Sequence, residues 1–289
     1  MGRRLYGPAR RPQYHRGTML PGARRIASTH ADRERPPRFY RNPRVHVLLA
    51  FLVAAGSWRA GAQTHMEAAP MPPPFSAGKP GSGLPYGWEP IKLSDRKRPT
   101  AYSLVRDGDA VVVHAEAVGA ASGLAHFARF DIRSAPIVEW RWKVSALVDG
   151  ADNRVGAKED SPARLIFAFD GDKARLPLLE RSIFYVTEKL SGRELPYALL
   201  QYIWAREIPV GTILEHPYTR RVRLLVVASG PGGVGRWHSL SRNLHDDFRR
   251  VFHEEPGLLT GVGVLTDTDN TGGSVEAWYG DIRFVAVDR

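Results

Sequence analysis

Between residues 137 and 144 the side chains alternate without a break. Val138, Trp140, Trp142 and Val144 fall on one face, and Glu139, Arg141 and Lys143 on the other. A period of two marks an extended strand, because successive Cβ atoms point to opposite sides of the pleat. One face is apolar and the other mostly charged, so this strand must border a core on one side and water on the other. Two indoles on one face need a second layer to cover them.

The rest of the chain supplies such a layer. Ala110–Glu116, Leu124–Phe130, Arg164–Phe169, Leu199–Trp204, Val222–Ala228, Thr260–Thr266 and Asp281–Val287 are short runs rich in β-branched and aromatic residues, separated by Gly and Pro clusters. A helix is expected where Leu244, Phe248, Val251 and Phe252 recur at i, i+4, i+7 and i+8, with Pro256-Gly257 to stop it. Asp246 and Asp247 near its start, and Arg249 and Arg250 towards its end, suit the helix dipole. The pattern predicts a mostly β fold, a two-sheet sandwich of jelly-roll type with one prominent helix at about 244–253. A lipocalin-like barrel is the competing architecture and would show a more even hairpin rhythm.

This sandwich domain is expected over residues 88–289. Residues 63–87 hold Ala69-Pro-Met-Pro-Pro-Pro74 and Ala77-Gly-Lys-Pro-Gly-Ser-Gly83, and read as a linker. Residues 1–62 read as a leader with a signal-peptide-like segment. An Arg-rich flank precedes the apolar run Val45–Ala55, and Ala60-Gly-Ala62 offers small residues for cleavage. The run falls short of the roughly 20 apolar residues that a membrane span needs. The expected location is therefore periplasmic or secreted, with no membrane span in the mature form; retention of the leader as an anchor is the alternative.

Charge follows the same division. The formal net charge is +11, and residues 1–62 hold 13 Lys/Arg against 2 Asp/Glu, so the leader carries the whole excess. The balanced remainder has no net field to attract phosphate, and no nucleic-acid partner is expected. The chain has no cysteine. Disulfides, cysteine-zinc sites and cysteine nucleophiles are thereby excluded.

A series of motifs carries a resemblance. In order they are Trp140-Arg-Trp142, Asp160-Ser-Pro-Ala-Arg-Leu165, Phe169-Asp-Gly171, Leu200-Gln-Tyr-Ile-Trp204, Trp237 with Arg242-Asn243 and Asp246, Pro256-Gly257, Thr266-Asp-Thr-Asp-Asn-Thr-Gly272 and Trp278-Tyr-Gly-Asp-Ile282. The set resembles the bacterial domain-of-unknown-function family 3047, over about Glu89 to Val287. The resemblance implies export and assigns no activity. The closing Trp278-Tyr-Gly-Asp-Ile282 is also similar to the last strand of the galactose-binding-like jelly rolls found in carbohydrate-binding modules.

Candidate sites follow from residue type and spacing. Asp267, Asp269 and Asn270, with Asp281 from the next strand, offer oxygens to a hard cation, and a structural calcium is the cofactor such a set would hold. The plain alternative is a hairpin turn, since Asp and Asn bond their own backbone and Gly272-Gly273 permits a tight bend. The loop Asp149–Pro162 carries Asp149, Asp152, Asn153, Glu159 and Asp160, a binding rim or a solvated loop. Arg164, if buried, needs a carboxylate, and Asp160 and Asp170 are nearest in sequence. Trp140 and Trp142 share a face with valines and read as core. Tyr202, Trp204 and Trp278 are the candidates for a sugar-stacking surface, Arg164 and Arg242 for a ligand contact, and Asn243 for a helix cap or a ligand contact.

No Gly-x-Ser-x-Gly elbow, His-Glu-x-x-His pair, Walker loop or dinucleotide fingerprint occurs. The sequence therefore favours an exported non-catalytic binding protein for a glycan or oligosaccharide, or another small-molecule ligand. A carbohydrate-active hydrolase or lyase using loop carboxylates is the alternative, and a structural envelope protein the second.

Overall fold

The computed structural model describes residues 72–191, 195–216 and 219–287. The leader at 1–62 and the first part of the expected linker lie outside them. No described helix is long and apolar enough to cross a membrane.

Among the described residues thirteen strands form two sheets. They are β1 (Glu89–Lys92), β2 (Ala101–Asp107), β3 (Ala110–Val118), β4 (Ala121–Phe130), β5 (Ile137–Val144), β6 (Ser161–Phe169), β7 (Ala198–Ala205), β8 (Ile213–His216), β9 (Thr219–Ser229), β10 (His238–Asn243), β11 (Leu259–Asp267), β12 (Ser274–Tyr279) and β13 (Arg283–Val285). A seven-stranded sheet runs β1-β4-β11-β6-β7-β9-β8. A six-stranded sheet runs β10-β5-β12-β3-β2, with β13 also paired to β5. Neighbouring strands are antiparallel except β7 and β9, which are parallel. The fold is the expected two-sheet sandwich of jelly-roll type.

The core forms where the inward faces meet. Val138, Trp140, Trp142 and Val144 of β5 are all buried. Trp140 stacks on Tyr202 at 5.4 Å between ring centres, and Trp142 lies 6.3 Å from Trp204. The helix expected near 244–253 is α2 (Leu244–Phe252), whose Leu244, Phe248 and Val251 close one end of the sandwich. Asn243 caps it, its side-chain oxygen accepting from the Asp246 N–H at 3.1 Å.

Three features differ from the sequence expectation. A second helix, α1 (Leu178–Ser191), lies between β6 and β7. It buries Phe184 against Leu176, Leu195, Leu199 and Val222, yet leaves Leu178, Leu179, Tyr185 and Val186 exposed. Apolar residues on two sides blur the single stripe that periodicity looks for.

The second difference is the expected linker. From residue 72 onward it packs on the domain. Phe75 is buried in the main core, 4.6 Å from Trp88, and Asp281 accepts from the Ser76 N–H and hydroxyl at 2.9 and 2.6 Å. A Pro/Gly-rich composition describes the backbone, but one phenyl ring decides where that backbone lies.

The third concerns the segment from Asp267 to Phe284. It is not a hairpin. β11 belongs to the seven-stranded sheet and β12 to the six-stranded one, so the Asp267–Gly273 stretch is the turn that carries the chain from one layer to the other.

Candidate functional site

The two faces of the sandwich sort the sequence candidates. β7 lies between β6 and β9, and all eight of its residues are buried. Tyr202 and Trp204 are therefore core side chains and offer no surface to a ligand. The charged Arg206 and Glu207 that flank them in sequence stand beyond the strand end. The Tyr202 hydroxyl donates to Asp247 at 2.6 Å, and Arg242 grips the same carboxylate through Nε and Nη2, each at 2.6 Å. Arg242 and Asn243 thus fasten α2 to the sheet.

Arg164 is buried as well, on the face of β6 opposite the core. Its partners are Glu159, Asp267 and Gln201 rather than Asp160 or Asp170. Nε and Nη2 donate to the two Asp267 oxygens, each at 2.9 Å. Nη1 donates to Glu159 Oε1 at 3.0 Å and Gln201 Oε1 at 3.2 Å, and Nη2 also reaches the Glu159 carbonyl at 2.8 Å. All five guanidinium hydrogens have an acceptor, the condition for burying such a charge. Burial opposes the Arg164 charge, but Asp267 and Glu159 outweigh it and hold the pKa above its ordinary value. Burial pushes the Asp267 carboxyl up to about 7, with Arg164 pulling the other way, and it raises Glu159 in the same manner.

The expected calcium set is not assembled as the sequence suggests. Asp281 is tied to Ser76, and Asn270 donates to Asp160 at 3.1 Å. The acids that do converge are Asp160, Asp267 and Asp269, each with an oxygen within 4.8 Å of the others. Their lone pairs are largely taken. Asp160 accepts from both N–H groups of Asn270 and from the N–H and hydroxyl of Thr271. Asp267 accepts from Arg164 and the Ser161 N–H. Lys97 pairs with Asp269 at 2.7 Å, and Asp269 Oδ1 is the one cluster oxygen buried with no hydrogen-bond partner among the described residues. Calcium takes about six to eight oxygens, and this cluster has few to spare. The oxygens left free among the described residues fall short of that number, and Arg164 and Lys97 already supply positive charge to the cluster. EDTA is expected to leave the melting temperature unchanged, and a fall of several degrees would restore the cation.

The rim loop is spent in the same way. Asp149 pairs with Arg206 and Asp152 with Arg154, while Asn153 is buried against the Asp160 carbonyl.

Trp278 has a different fate. It lies half-buried on the outer, solvated face of the six-stranded sheet. The register sets Trp278 opposite Lys143 on one side and His114 on the other. Trp237, just before β10, completes the row. The Lys143 ammonium sits 4.4 Å from the Trp278 ring centre and 5.4 Å from that of Trp237. His114 stacks on Trp278 at 4.9 Å, and the Arg141 guanidinium lies 4.6 Å over Trp237. Cation and ring alternate across the sheet, with the two indoles about two strand spacings, roughly 10 Å, apart. Asp107 anchors the row, pairing with Lys143 and accepting from Trp237 Nε1 at 3.0 Å.

Beside this row the same face sinks into a groove of about 510 Å³, lined among others by Glu139, Arg141, Ser239, Ser241, Asp281 and Arg283. Gly280 gives Arg141 its room: a Cβ there would meet Arg141 Cγ at 2.5 Å. Sequence reasoning placed Glu139, Arg141 and Lys143 on the polar side of their strand, but did not join them to Trp237. The missing signal was β10 itself, whose His-Ser-Leu-Ser-Arg-Asn run alternates without β-branched residues.

A second concavity, of about 620 Å³ beside α2, is lined by Arg175, Arg221, Glu254 and Tyr197 among others. Its main charges are matched: Arg221 pairs with Glu254 and Arg175 with Asp172.

Solved structures with a related layout are distant. A xyloglucanase domain of a Sinorhizobium fredii type three effector, in complex with cellobiose, is 10% identical with a TM-score of 0.39, covering 72% of this chain and 96% of its own. A family 28 carbohydrate-binding module specific for non-crystalline cellulose is 10% identical with a TM-score of 0.35, covering 76% and 96%. A family 12 xyloglucanase from Bacillus licheniformis is 6% identical with a TM-score of 0.35, covering 67% and 89%. No curated protein sequence matches the chain. The family profile described as "Protein of unknown function (DUF3047)" matches residues 86–283, so the motif series from β1 to β13 is that family's and the chain belongs to it.

Proposed function

We propose that this protein binds a glycan in the groove on the outer face of the six-stranded sheet, with Trp237 at its border. The observation that carries this reading is the pairing of two surfaces. An open polar groove offers the Ser239 and Ser241 hydroxyls, the Glu139 carboxylate and the Arg141 guanidinium, next to an indole that is only half-buried. Sugars present both hydroxyls and an apolar C–H face, and an aromatic ring beside hydrogen-bonding groups suits both.

In the free protein Arg141 covers the Trp237 ring. A cation–π contact at an exposed site is worth only about 0.5–1 kcal/mol. No carboxylate pairs with Arg141 among the described residues, so its donors are free to meet a ligand while it rests on the ring. Lys143, fixed by Asp107, stays between the indoles.

The hydrolase or lyase alternative would draw on the acids of the Asp149–Asp160 and Asp267–Asp281 loops. Those acids are engaged by Arg206, Arg154, Arg164, Lys97, Ser76 and the Asn270-Thr271 turn, which favours binding over catalysis.

The test is calorimetry on hits from a glycan array. Trp237→Ala is expected to weaken binding at least tenfold while the melting temperature moves by no more than a few degrees, since the ring is not part of the core. Binding that survives Trp237→Ala unchanged, or an array with no hits, sinks the proposal.

A further inference from the structure

We infer that the groove selects a glycan bearing carboxylates, of the uronic-acid type, through Arg141 and Arg283. This inference rests on the glycan reading of the groove and deepens it.

The argument starts from which charges on this face are already answered. Lys143 is paired with Asp107, and His114 Nε2 lies 2.7 Å from Glu276. Asp281 accepts twice from Ser76. Arg141 and Arg283 both line the groove, and neither has a carboxylate within ion-pairing distance among the described residues. Glu139 is the remaining acid there; it stands opposite Arg283 in the β5–β13 register and next but one to Arg141 on β5. Once Asp281 is committed, two guanidiniums face one free carboxylate.

The placement of Arg141 is built rather than incidental. Gly280 removes the side chain that would block it, with Arg141 Nε only 2.7 Å from where a Cβ would stand. Trp237 supports the guanidinium plane from one side. A planar fork seated over a ring, with no carboxylate spending its donors among the described residues, matches a carboxylate better than it matches a lone hydroxyl. Glu139 and the serine hydroxyls on the facing strand can receive and donate hydrogen bonds to the sugar hydroxyls around that carboxylate.

The experiment compares four probes on the full-length protein by calorimetry: a linear tetramer of galacturonic acid, the same tetramer as its methyl ester, a neutral cello-oligosaccharide of equal length and that oligosaccharide sulfated. The acid is expected to bind about tenfold or more tighter than its ester, with an affinity that falls as salt is raised. Arg141→Gln is expected to reduce the affinity for the acid by about tenfold and that for the ester by less, with an unchanged melt. Equal binding of acid and ester overturns the acidic preference and leaves the glycan reading intact. A preference that survives Arg141→Gln overturns the role of that residue. Equally tight binding of a sulfated oligosaccharide overturns selection for carboxylate. Binding of no probe and no array glycan brings down both readings.

Discussion

Arg164→Met is expected to lower the unfolding free energy by about 3–5 kcal/mol, the range for breaking a buried ion pair by removing one partner. A small domain has only about 5–15 kcal/mol in total, so the variant is expected to sit close to unfolding. The cause is what remains. Without the guanidinium, Glu159 and Asp267 are buried carboxylates that have lost their counter-charge, beside Asp160 and Asp269. The loss is expected to shrink at acid pH, where Asp267 and Glu159 take up protons and are buried neutral; burial already raises both in the native protein. Urea titrations at two pH values measure it. A loss under about 1 kcal/mol at neutral pH would show that the cluster is hydrated and that its charges are not tied to the fold.

Alkaline unfolding is the second large effect. Tyr202 and Tyr279 are fully buried, and Tyr102 turns its hydroxyl inward to the Ser122 carbonyl at 2.6 Å. Burial raises the pKa of all three, helped by the Asp247 charge at Tyr202, by Tyr279 at Tyr102 and by the Asp267 charge at Tyr279. A folded-state pKa above the unfolded value means stability that is fully present below about pH 10 and lost as pH rises through the range where only the unfolded chain ionises. Each such group costs about 1.4 kcal/mol per pH unit, so three give about 4 kcal/mol at pH 11. The denaturation midpoint is therefore expected to fall steeply above pH 10. Tyr279→Phe, which gives up hydrogen bonds to Thr266 and the Leu265 carbonyl, is expected to lose about 1–2 kcal/mol at neutral pH but to remove about a third of that alkaline slope. An unaltered slope in this variant would falsify the assignment.

These predictions turn on residues that the sequence exposes unevenly. β5 is legible because its alternation is strict and its two faces differ in polarity, and the burial of Trp140 and Trp142 follows from that pattern. β7 looks similar but lies at the centre of a sheet covered on both sides. Tyr202 and Trp204 therefore read as a surface when they are core: local sequence reports a strand, while only the strand order reports its coverage. The Arg164 cluster was half legible. A charge at the start of an apolar strand demands a carboxylate, but its partner Asp267 lies 103 residues away and reaches it only because β6 and β11 pair. Trp237 was hidden for the opposite reason. Its neighbours on β10 are polar edge residues with no strand signature, so nothing local set the indole beside Lys143 and Trp278.

The ends of the seven-stranded sheet carry a last consequence. One end is β1 and the other β8, and each is four residues long. β1 also contains Pro90, which has no N–H to give a visiting strand, and both carry charge, at Glu89, Lys92 and Glu215. A neighbouring molecule that tried to extend this sheet would find a short, interrupted ladder. The long, largely apolar strands inside it, β7 and β11 above all, would in isolation be prone to stack into fibrils and are thereby kept from templating aggregation.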